Sequence, residues 1–374
     1  MKSLVLLALV FSVRAFNEDR VVLHDILSMT KDVVIPRKDA TAANTYIVNL
    51  DLPPMERWNN VLEHFDPTDI TAVVHALMDK FFPSKLLIPI LEKIGADLDH
   101  YISQPFADEL RGISKNFGIN LGDIVLGNLV YDISAFHSGL SKACTSIVTS
   151  DKMGRLIHGR NLDYVIGKHL KPLTIQVDYQ KNGKTLFMAT TYVGYIGVIT
   201  GSRNGAFSVS GDQRNTGQLW ENLLSALEGS WPTFMLQRMV LERAKDYGEA
   251  VTLLSNTPTI APVYFIVGGI RPGEGAIIVK DQRNLRNVTL MDHRWYILET
   301  NYDPWNTPPK SDDRRDAGIA AMNKVGRENM NSAELYKVLS VPPVFNANTT
   351  YTTIMSAADP DVYHTMIRYD APSN

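Results

Sequence analysis

The chain has 374 residues and a single cysteine, Cys144. An internal disulfide is therefore impossible, although secreted and lysosomal proteins commonly pair their cysteines. A lone cysteine in such a chain is either a small buried apolar residue or a reactive thiol. The paired Cys and His spacings of zinc sites are also missing, so no metal site is expected.

Runs of positive charge are absent as well. Lys and Arg number 37 against 40 Asp and Glu, for a net charge of -3. Without a basic stripe, the sequence offers no electrostatic footprint for nucleic acid. The nucleophile-elbow motif, the dinucleotide fingerprint and a complete phosphate loop are missing too. These absences exclude the commonest hydrolase and nucleotide-binding patterns.

Long apolar runs are scarce. The stretch Leu4 to Val13 would span only about 15 Å as a helix, roughly half of a bilayer core. Lys2 precedes it and the small residue Ala15 follows it, so residues 1–15 are predicted to be a signal peptide rather than a buried core helix. The sequons at Asn287 and Asn348 are candidate glycosylation sites of a protein on the secretory route.

The hydrophobic periodicity changes along the chain. Residues 55–135 favour helix, including Leu121 to Ser134, whereas alternating strand patterns begin at Cys144. Asn182-Gly183 is typical of a type I′ turn between two strands. Helical stretches interrupt the later strands at Leu219–Leu227, Pro232–Ala244 and Tyr247–Ser255. Helices followed by antiparallel hairpins with inserted helices predict an α+β sandwich.

The chemistry concentrates around the cysteine. If Cys144–Val148 and His158–Tyr164 are neighbouring strands, then Arg160 and Asp163 return toward Cys144. A guanidinium beside a thiol favours the thiolate. The local pattern supplies no histidine base, but cleavage before Cys144 would supply an α-amino group instead. The alternative is a buried cysteine beside a surface Arg–Asp pair.

These two segments resemble the family of acid ceramidases and N-acylethanolamine acid amidases, which are N-terminal-nucleophile hydrolases related to the choloylglycine hydrolases. The resemblance covers nearly the whole mature chain. Further matching segments, in the same order, are Gln104-Pro105-Phe106, Glu109-Leu110-Arg111-Gly112, Glu299-Thr300-Asn301-Tyr302-Asp303, Asp312-Asp313-Arg314-Arg315 and Tyr351-Thr352-Thr353. The resemblance implies an αββα sandwich with a mostly helical N-terminal α-subunit segment.

The resemblance also implies a mechanism. A proenzyme would cut itself at Ala143–Cys144, giving a 16–143 α-subunit and a 144–374 catalytic β-subunit that stay together as a heterodimer. The thiol of Cys144 would then attack a fatty-acyl amide, with Arg160 and Asp163 holding the nucleophile and its amine. Asn301 would donate a hydrogen bond to the oxyanion, and no cofactor is implied. The expected compartment is the lysosome.

Within the family, three features look more like the amidases than the ceramidases. They are Ser210-Gly211-Asp212, Trp220-Glu221-Asn222, and Val344-Phe345-Asn346 with Met355-Ser356-Ala357. Ceramidases also carry a disulfide between their subunits, which a chain with one cysteine cannot form. An N-acylethanolamine amidase is therefore favoured, with an acid ceramidase or a non-catalytic lipid-binding protein on the same fold as alternatives.

Two departures from the family pattern stand out. Gln213 occupies the position before Arg214 where the family has a glutamate that is implicated in the active centre. An amide keeps hydrogen-bonding geometry but loses charge, so processing or its pH dependence is expected to differ. The stretch from His137 to Ala143 is also longer than in other members, which changes the linker that precedes the nucleophile.

A lipid substrate requires an apolar entrance at a membrane or micelle. The stretch Lys85 to Ile94 has almost no polar face, so it is either a buried helix or a surface that contacts lipid. Phe81, Phe82, Leu87 and Leu91 are accordingly predicted to form a membrane-facing substrate entrance.

Overall fold

A computed structural model describes residues 40–81, 97, 101–134, 144–310 and 312–369. The signal peptide predicted at residues 1–15 lies outside these residues, as do Ala143 of the predicted cleavage site and the entrance residues Phe82, Leu87 and Leu91. Phe81 is the last residue of a helix that begins at Pro67.

The described strands, in chain order, are β1 Ala40–Ala42, β2 Thr45–Asn49, β3 Cys144–Ser150, β4 Leu156–Asp163, β5 Thr174–Lys181, β6 Lys184–Tyr192, β7 Thr200–Arg203, β8 Phe207–Gln213, β9 Val263–Gly268, β10 Gly275–Lys280, β11 Leu285–Leu290, β12 Tyr296–Glu299, β13 Thr349–Met355 and β14 Tyr363–Arg368. The described α-helices are α1 Asn59–Leu62, α2 Pro67–Phe81, α3 Phe106–Phe117, α4 Leu121–Ser134, α5 Gly167–Leu170, α6 Leu219–Leu227, α7 Thr233–Arg243, α8 Tyr247–Asn256, α9 Arg314–Val325 and α10 Ser332–Val338. Short 3₁₀ turns at Pro54–Glu56, Lys171–Leu173 and Arg327–Asn329 complete the described helical structure.

Two sheets face each other. One has the strand order β1-β14-β13-β4-β3-β12 and the other has the order β11-β10-β9-β8-β7-β6-β5-β2. Strands β3, β4 and β13 of the first sheet and β8 and β9 of the second are buried along their whole length. Strands buried on both faces need cover on both sides, because neither face can be left in water.

Helices provide that cover. On the outside of the first sheet, α9 packs against β12, and α10 packs against β4 and β13. On the outside of the second sheet, α7 packs against β6, β7 and β8, and α8 packs against β9 and β10. The predicted α+β fold with an αββα arrangement is confirmed.

The segment before Cys144 is helical but also contributes a strand to the edge of each sheet. Strand β1 pairs antiparallel with β14, and β2 pairs parallel with β5. The remainder of this segment, α2, α3 and α4, packs into one group of helices. Helix α2 begins at Pro67 after Asp66, whose carboxylate accepts a hydrogen bond from the Thr68 backbone N–H at 2.8 Å. Edge strands this short have no periodicity of their own, so the sequence pattern did not reveal them.

The turn between β5 and β6 has the predicted conformation. Asn182 and Gly183 have φ angles of 53° and 68°. A type I′ turn requires positive φ at both central residues, which Asn and Gly tolerate best. This hairpin therefore forms where the sequence places it.

Candidate active site

The nucleophile candidate and its guanidinium partner are brought together by strand register. Cys144 is the first residue of β3 and lies opposite Leu162 of β4, while Ser146 lies opposite Arg160. Residues two apart on a strand share a face, so Arg160 is the diagonal neighbour of Cys144 on that face. The hairpin expected from the sequence is the element that joins them.

Arg160 is fully buried and held by hydrogen bonds from both ends of its guanidinium. Its Nη2 donates to the Sγ of Cys144 at 3.2 Å and to the backbone O of Gly211 at 3.0 Å. Its Nη1 donates to the Oγ1 of Thr200 at 2.5 Å and to the hydroxyl of Tyr351 at 3.2 Å. Because these hydrogen bonds fix the guanidinium, the positive charge of Arg160 stays beside the thiol of Cys144.

The backbone of the same cysteine is also held. The N–H of Cys144 donates to the Oδ1 of Asn301 at 2.6 Å, and Arg314 donates to the backbone O of Cys144. Arg314 donates to the Oδ1 of Asn301 as well, at 3.0 Å, and the Nδ2 of Asn301 donates to the backbone O of Gln213 at 2.8 Å. Asn301 therefore orients the nitrogen of the nucleophile, and one of its own N–H donors is already engaged.

Asp163 ends β4 beside this group. Its Oδ2 accepts a hydrogen bond from the Nδ2 of Asn346 at 2.8 Å and lies 4.0 Å from Nη1 of Arg314. Burial raises the pKa of Asp163, although Arg314 and hydrogen bonds oppose the rise. This carboxyl can therefore carry a proton more easily than an exposed aspartate.

The electrostatics of the thiol differ from the expectation of a simple Arg-activated cysteine. Burial raises the pKa of Cys144, and the neighbouring charge of Arg160 only partly reverses that rise. Asp212 and Asp163 add to it. In this buried site, desolvation raises the thiol pKa by more than one guanidinium lowers it. The spacing of residues in the sequence does not reveal this balance, because it does not show burial.

The site lies at a cavity with an empty volume of about 880 Å³. Its wall carries Cys144, Arg160, Asp163 and Gln213, together with the polar residues Asp123 and Asn128. The apolar part of the wall is formed by Ile70, Val73, Val74, Ile124, Val130, Leu162, Leu170, Leu173, Tyr192, Val193, Ile199 and Phe234. A largely apolar cavity with a thiol on its wall matches a substrate with a long apolar tail and a polar reacting group.

The remaining residues singled out by the sequence lie in several places. Gln213 is buried and faces the cavity at the end of β8. Asn287 is exposed on β11, whereas Asn348 is half-buried in the loop before β13. In the described part of the chain no cluster of His, Cys, Asp and Glu could hold a metal ion, and no helix is both long and apolar enough to span a bilayer.

Three residues of the site lie in motifs that resemble the family, but the sequence predicted no role for them. They are Asp212, Arg314 and Asn346. Each of them reaches the site from a strand end, loop or helix far along the chain from Cys144. Their place in motifs such as Ser210-Gly211-Asp212 was the only indication of a role in the site. A motif does not show where its side chains lie relative to Cys144.

Two family models match this chain, one before Cys144 and one from Cys144 onward. The family model described as linear amide C–N hydrolases of the choloylglycine hydrolase family matches residues 144–316, so the matched region begins at Cys144. The model described as the beta subunit of N-acylethanolamine-hydrolyzing acid amidase matches residues 41–102. That description gives the word beta to the segment before Cys144, which is the N-terminal segment of this chain.

Individual relatives cover most of the chain. A Rattus norvegicus protein named N-acylethanolamine-hydrolyzing acid amidase is 43% identical over 336 residues, which is 88% of this chain and 91% of its own. A Bos taurus acid ceramidase is 36% identical over 334 residues, covering 83% of this chain and 82% of its own. The solved structure of a Caenorhabditis elegans ortholog of the amidase matches with a TM-score of 0.53 and 37% identity, covering 59% of this chain and 95% of that one.

Proposed function

This chain belongs to the N-acylethanolamine-hydrolyzing acid amidase family and is a hydrolase of linear amide bonds, and we propose that it cleaves fatty-acyl ethanolamides such as palmitoylethanolamide. The products are a free fatty acid and ethanolamine. One observation carries this proposal: Arg160 donates a hydrogen bond to the thiol of Cys144 at the wall of a largely apolar cavity.

The first step of the proposal is maturation. The thiol of Cys144 attacks the carbonyl carbon of Ala143, and the acyl group moves from nitrogen to sulfur. That shift breaks the Ala143–Cys144 C–N bond and frees the α-amine of Cys144, and water then hydrolyses the thioester to a carboxylate on Ala143 and the free thiol of Cys144. Asn301 supports this step because its Oδ1 already accepts from the nitrogen that becomes the amine. The resulting N-terminal segment is 16–143 and the C-terminal segment is 144–374, joined as a heterodimer.

The second step uses the same two atoms of the cysteine. The α-amine takes the thiol proton, the thiolate attacks the substrate amide carbon, and the amine passes that proton to the departing ethanolamine nitrogen. Water hydrolyses the acyl thioester and restores the thiol. Asp163 is the proposed partner of the ammonium, which is supported by its distance of 4.0 Å from Arg314, a residue that donates to the backbone O of Cys144. Asn301 is the proposed donor to the oxyanion.

The choice of head group follows the degree of relatedness. The rat and Mus musculus amidases are 43% and 42% identical to this chain, whereas the ceramidases of Bos taurus and Mus musculus are 36% and 37% identical. The absence of a second cysteine adds to this, because the disulfide expected between ceramidase subunits cannot form. The proposed compartment is the lysosome, reached through the secretory pathway.

Peripheral contact with a membrane or micelle completes the proposal. On α6, Trp220, Leu224 and Leu227 are 58%, 46% and 48% exposed. Residues spaced by three and four lie on one helical face, so these three form an apolar stripe facing outward. Helix α6 packs on α4, whose residues Ile124 and Val130 line the cavity. This stripe adds a described surface to the predicted entrance at Phe81, Phe82, Leu87 and Leu91.

The decisive experiment sequences the N-termini of purified protein incubated near pH 5, alongside a Cys144→Ala variant. A fragment beginning at Cys144, absent from the variant, is the expected result. Purified wild type is then assayed with palmitoylethanolamide and with an N-acylsphingosine, and faster hydrolysis of the ethanolamide is expected. An uncut wild-type chain that hydrolyses neither amide would contradict the proposed function and favour a lipid-binding role.

A further inference from the structure

Asp212 is a buried acid beside the nucleophile that the mechanism above does not use. It lies on β8, and its side chain is fully buried. Its Oδ1 accepts a hydrogen bond from the Oγ of Ser146 at 2.8 Å, and no described residue bonds to its Oδ2. A buried carboxyl with one oxygen unpartnered is costly to ionise unless a positive charge stands nearby.

The nearby positive charge is the one that also faces the thiol. Nη2 of Arg160 lies 3.7 Å from Oδ1 of Asp212 and 3.2 Å from the Sγ of Cys144. A single guanidinium nitrogen thus stands between two acids. Neither acid can turn to solvent, because both are buried.

A hydrogen-bonded chain behind Asp212 holds it in this position. Ser146 accepts from the Oγ of Ser210 at 2.8 Å, and Ser210 bonds to Nε2 of His158 at 3.0 Å. The other ring nitrogen of His158 bonds to the Oγ of Ser208 at 3.1 Å. Burial lowers the pKa of His158 to about 3, helped by Arg160, so this chain brings no second positive charge. Asp212 therefore depends mainly on Arg160 for charge compensation.

We propose that Asp212 is a positioning residue that competes with Cys144 for the positive charge of Arg160, so that ionisation of Asp212 limits ionisation of the thiol. This inference rests on the proposed role of Cys144 as nucleophile. It adds a second acid that governs how much thiolate is present at each pH.

The competition follows from the number of charges that the pocket tolerates. Two negative charges beside one guanidinium repel each other, so the first proton to leave makes the second harder to remove. Burial raises the pKa of Asp212 to about 7, against the lowering effect of Arg160 and the Ser146 hydrogen bond. The other ionisable groups whose charges act on Asp212, or whose pKa responds to it, are Asp163, Arg314, Glu299, Tyr131 and Tyr351.

The consequence is a specific pH dependence of the thiol. Well below pH 7 Asp212 is mostly protonated, and the small thiolate fraction rises tenfold for each pH unit, as for any thiol below its pKa. Once Asp212 ionises, its negative charge disfavours the thiolate, and the fraction of molecules with a neutral Asp212 falls tenfold for each further pH unit. This fall cancels the tenfold rise in thiol ionisation over the same pH unit. The thiolate fraction then levels off instead of rising.

The chain permits a clean test, because Cys144 is its only cysteine. The rate of alkylation by iodoacetamide is measured from pH 5 to pH 9 in wild type and in Asp212→Asn. The two rates should agree near pH 5. At pH 8, one unit above about 7, the variant should react about ten-fold faster, because its thiolate fraction continues to rise.

Glu299→Gln is the matched control. Glu299 is another fully buried acid, but its cationic partner is Arg315 at 3.4 Å rather than Arg160. This variant should keep the levelling of the wild type, with less than about a two-fold change at pH 8. The same levelling in Asp212→Asn as in the wild type would overturn the proposal, as would equal acceleration in both variants.

Ser146→Ala covers the case in which Asp212→Asn does not fold. Loss of the Ser146 hydrogen bond makes Asp212 harder to ionise, so the levelling should begin at a higher pH; an unchanged profile would count against the proposal. Alkylation needs no substrate. A protein that shows the predicted profile but hydrolyses no ethanolamide would therefore contradict the proposed function and leave the role of Asp212 supported.

Discussion

Glu109 and Arg238 form a buried ion pair that joins the segment before Cys144 to the segment after it. The guanidinium of Arg238 donates to both carboxylate oxygens of Glu109, at 2.6 and 2.7 Å. Arg57 and Trp58 donate to the same carboxylate at 2.9 and 2.8 Å. Since no disulfide can link the two segments, this pair and the parallel pairing of β2 with β5 are contacts that would hold them together after cleavage.

Glu109→Gln should therefore weaken the association of the two segments. Removing one partner of a buried pair leaves an uncompensated charge and typically costs roughly 3–5 kcal/mol. Urea unfolding and size-exclusion chromatography of the cleaved protein measure the loss. Asp108→Asn is the control on the same helix, since Asp108 pairs with Arg111 near the surface and should cost less than about 1 kcal/mol. Equal losses in the two variants would contradict a special role for Glu109.

The same pair should survive at acid pH. Burial alone would raise the pKa of Glu109, but Arg238, Trp58 and Arg57 bring it below its ordinary value of 4.5. A carboxyl with a depressed folded pKa contributes stability that is present above the unfolded pKa and lost as pH falls through the folded pKa. The segments should stay associated at pH 5 and begin to separate only below about pH 4.5. Chromatography of the cleaved protein between pH 3 and pH 6 measures this, and separation already at pH 5 would contradict it.

Arg160→Lys should lower activity although it keeps the charge. The guanidinium contacts Cys144, Gly211, Thr200 and Tyr351 simultaneously, and a lysine ammonium cannot reproduce that fork. A loss of about 100-fold in kcat/KM, equivalent to about 2.7 kcal/mol, is expected in assays with a fatty-acyl ethanolamide. Arg155→Lys, at a half-exposed pair with Asp151, should leave activity unchanged. A two-fold loss or less in Arg160→Lys would show that charge alone suffices.

Gln213→Glu, which restores the glutamate expected for the family, should shift the activity toward lower pH. The hydrogen bond from Asn301 goes to the backbone O of Gln213, so the substitution leaves it in place. A glutamate at this position loses its proton as the pH rises, and its carboxylate then disfavours the thiolate of Cys144 in the shared cavity, so the thiolate is suppressed more at pH 7 than at pH 5. The ratio of kcat/KM at pH 7 to that at pH 5 should fall below the wild-type ratio. An unchanged ratio would mean that the side chain at 213 does not influence the thiol.

Tyr192→Phe should separate substrate binding from stability. The hydroxyl of Tyr192 is buried at the cavity wall, and no hydrogen bond joins it to any residue that the structure describes. Removal of an unsatisfied hydroxyl should leave the free energy of unfolding unchanged or raise it by about 1 kcal/mol. KM for an ethanolamide should rise because the substrate loses a buried hydrogen-bond partner. A drop in stability with an unchanged KM would indicate a purely structural hydroxyl.

Local patterns in the sequence predicted local structure well. The helices Leu121–Ser134 and Leu219–Leu227 and the Asn182-Gly183 hairpin form where the periodicity and turn chemistry indicate. The approach of Arg160 to Cys144 was also predictable, because it needs only one antiparallel hairpin. Elements set by distant pairing were not predictable in this way. The edge strand β2 lies parallel to β5 across more than a hundred residues of chain, and it was expected to belong to a helical segment.

The amino-acid sequence alone shows which chemistry is possible: one thiol, one nearby guanidinium, no disulfide and no metal-binding spacing. How that chemistry is tuned depends on the folded arrangement of the two sheets. That arrangement brought Asn301 and Arg314 to the backbone of Cys144 and placed Asp212 beside Arg160. It also buried all of these groups, so that desolvation raises the pKa of the thiol above the value that its arginine neighbour alone would suggest. Burial depends on the packing of both sheets and their covering helices, which no short stretch of sequence contains.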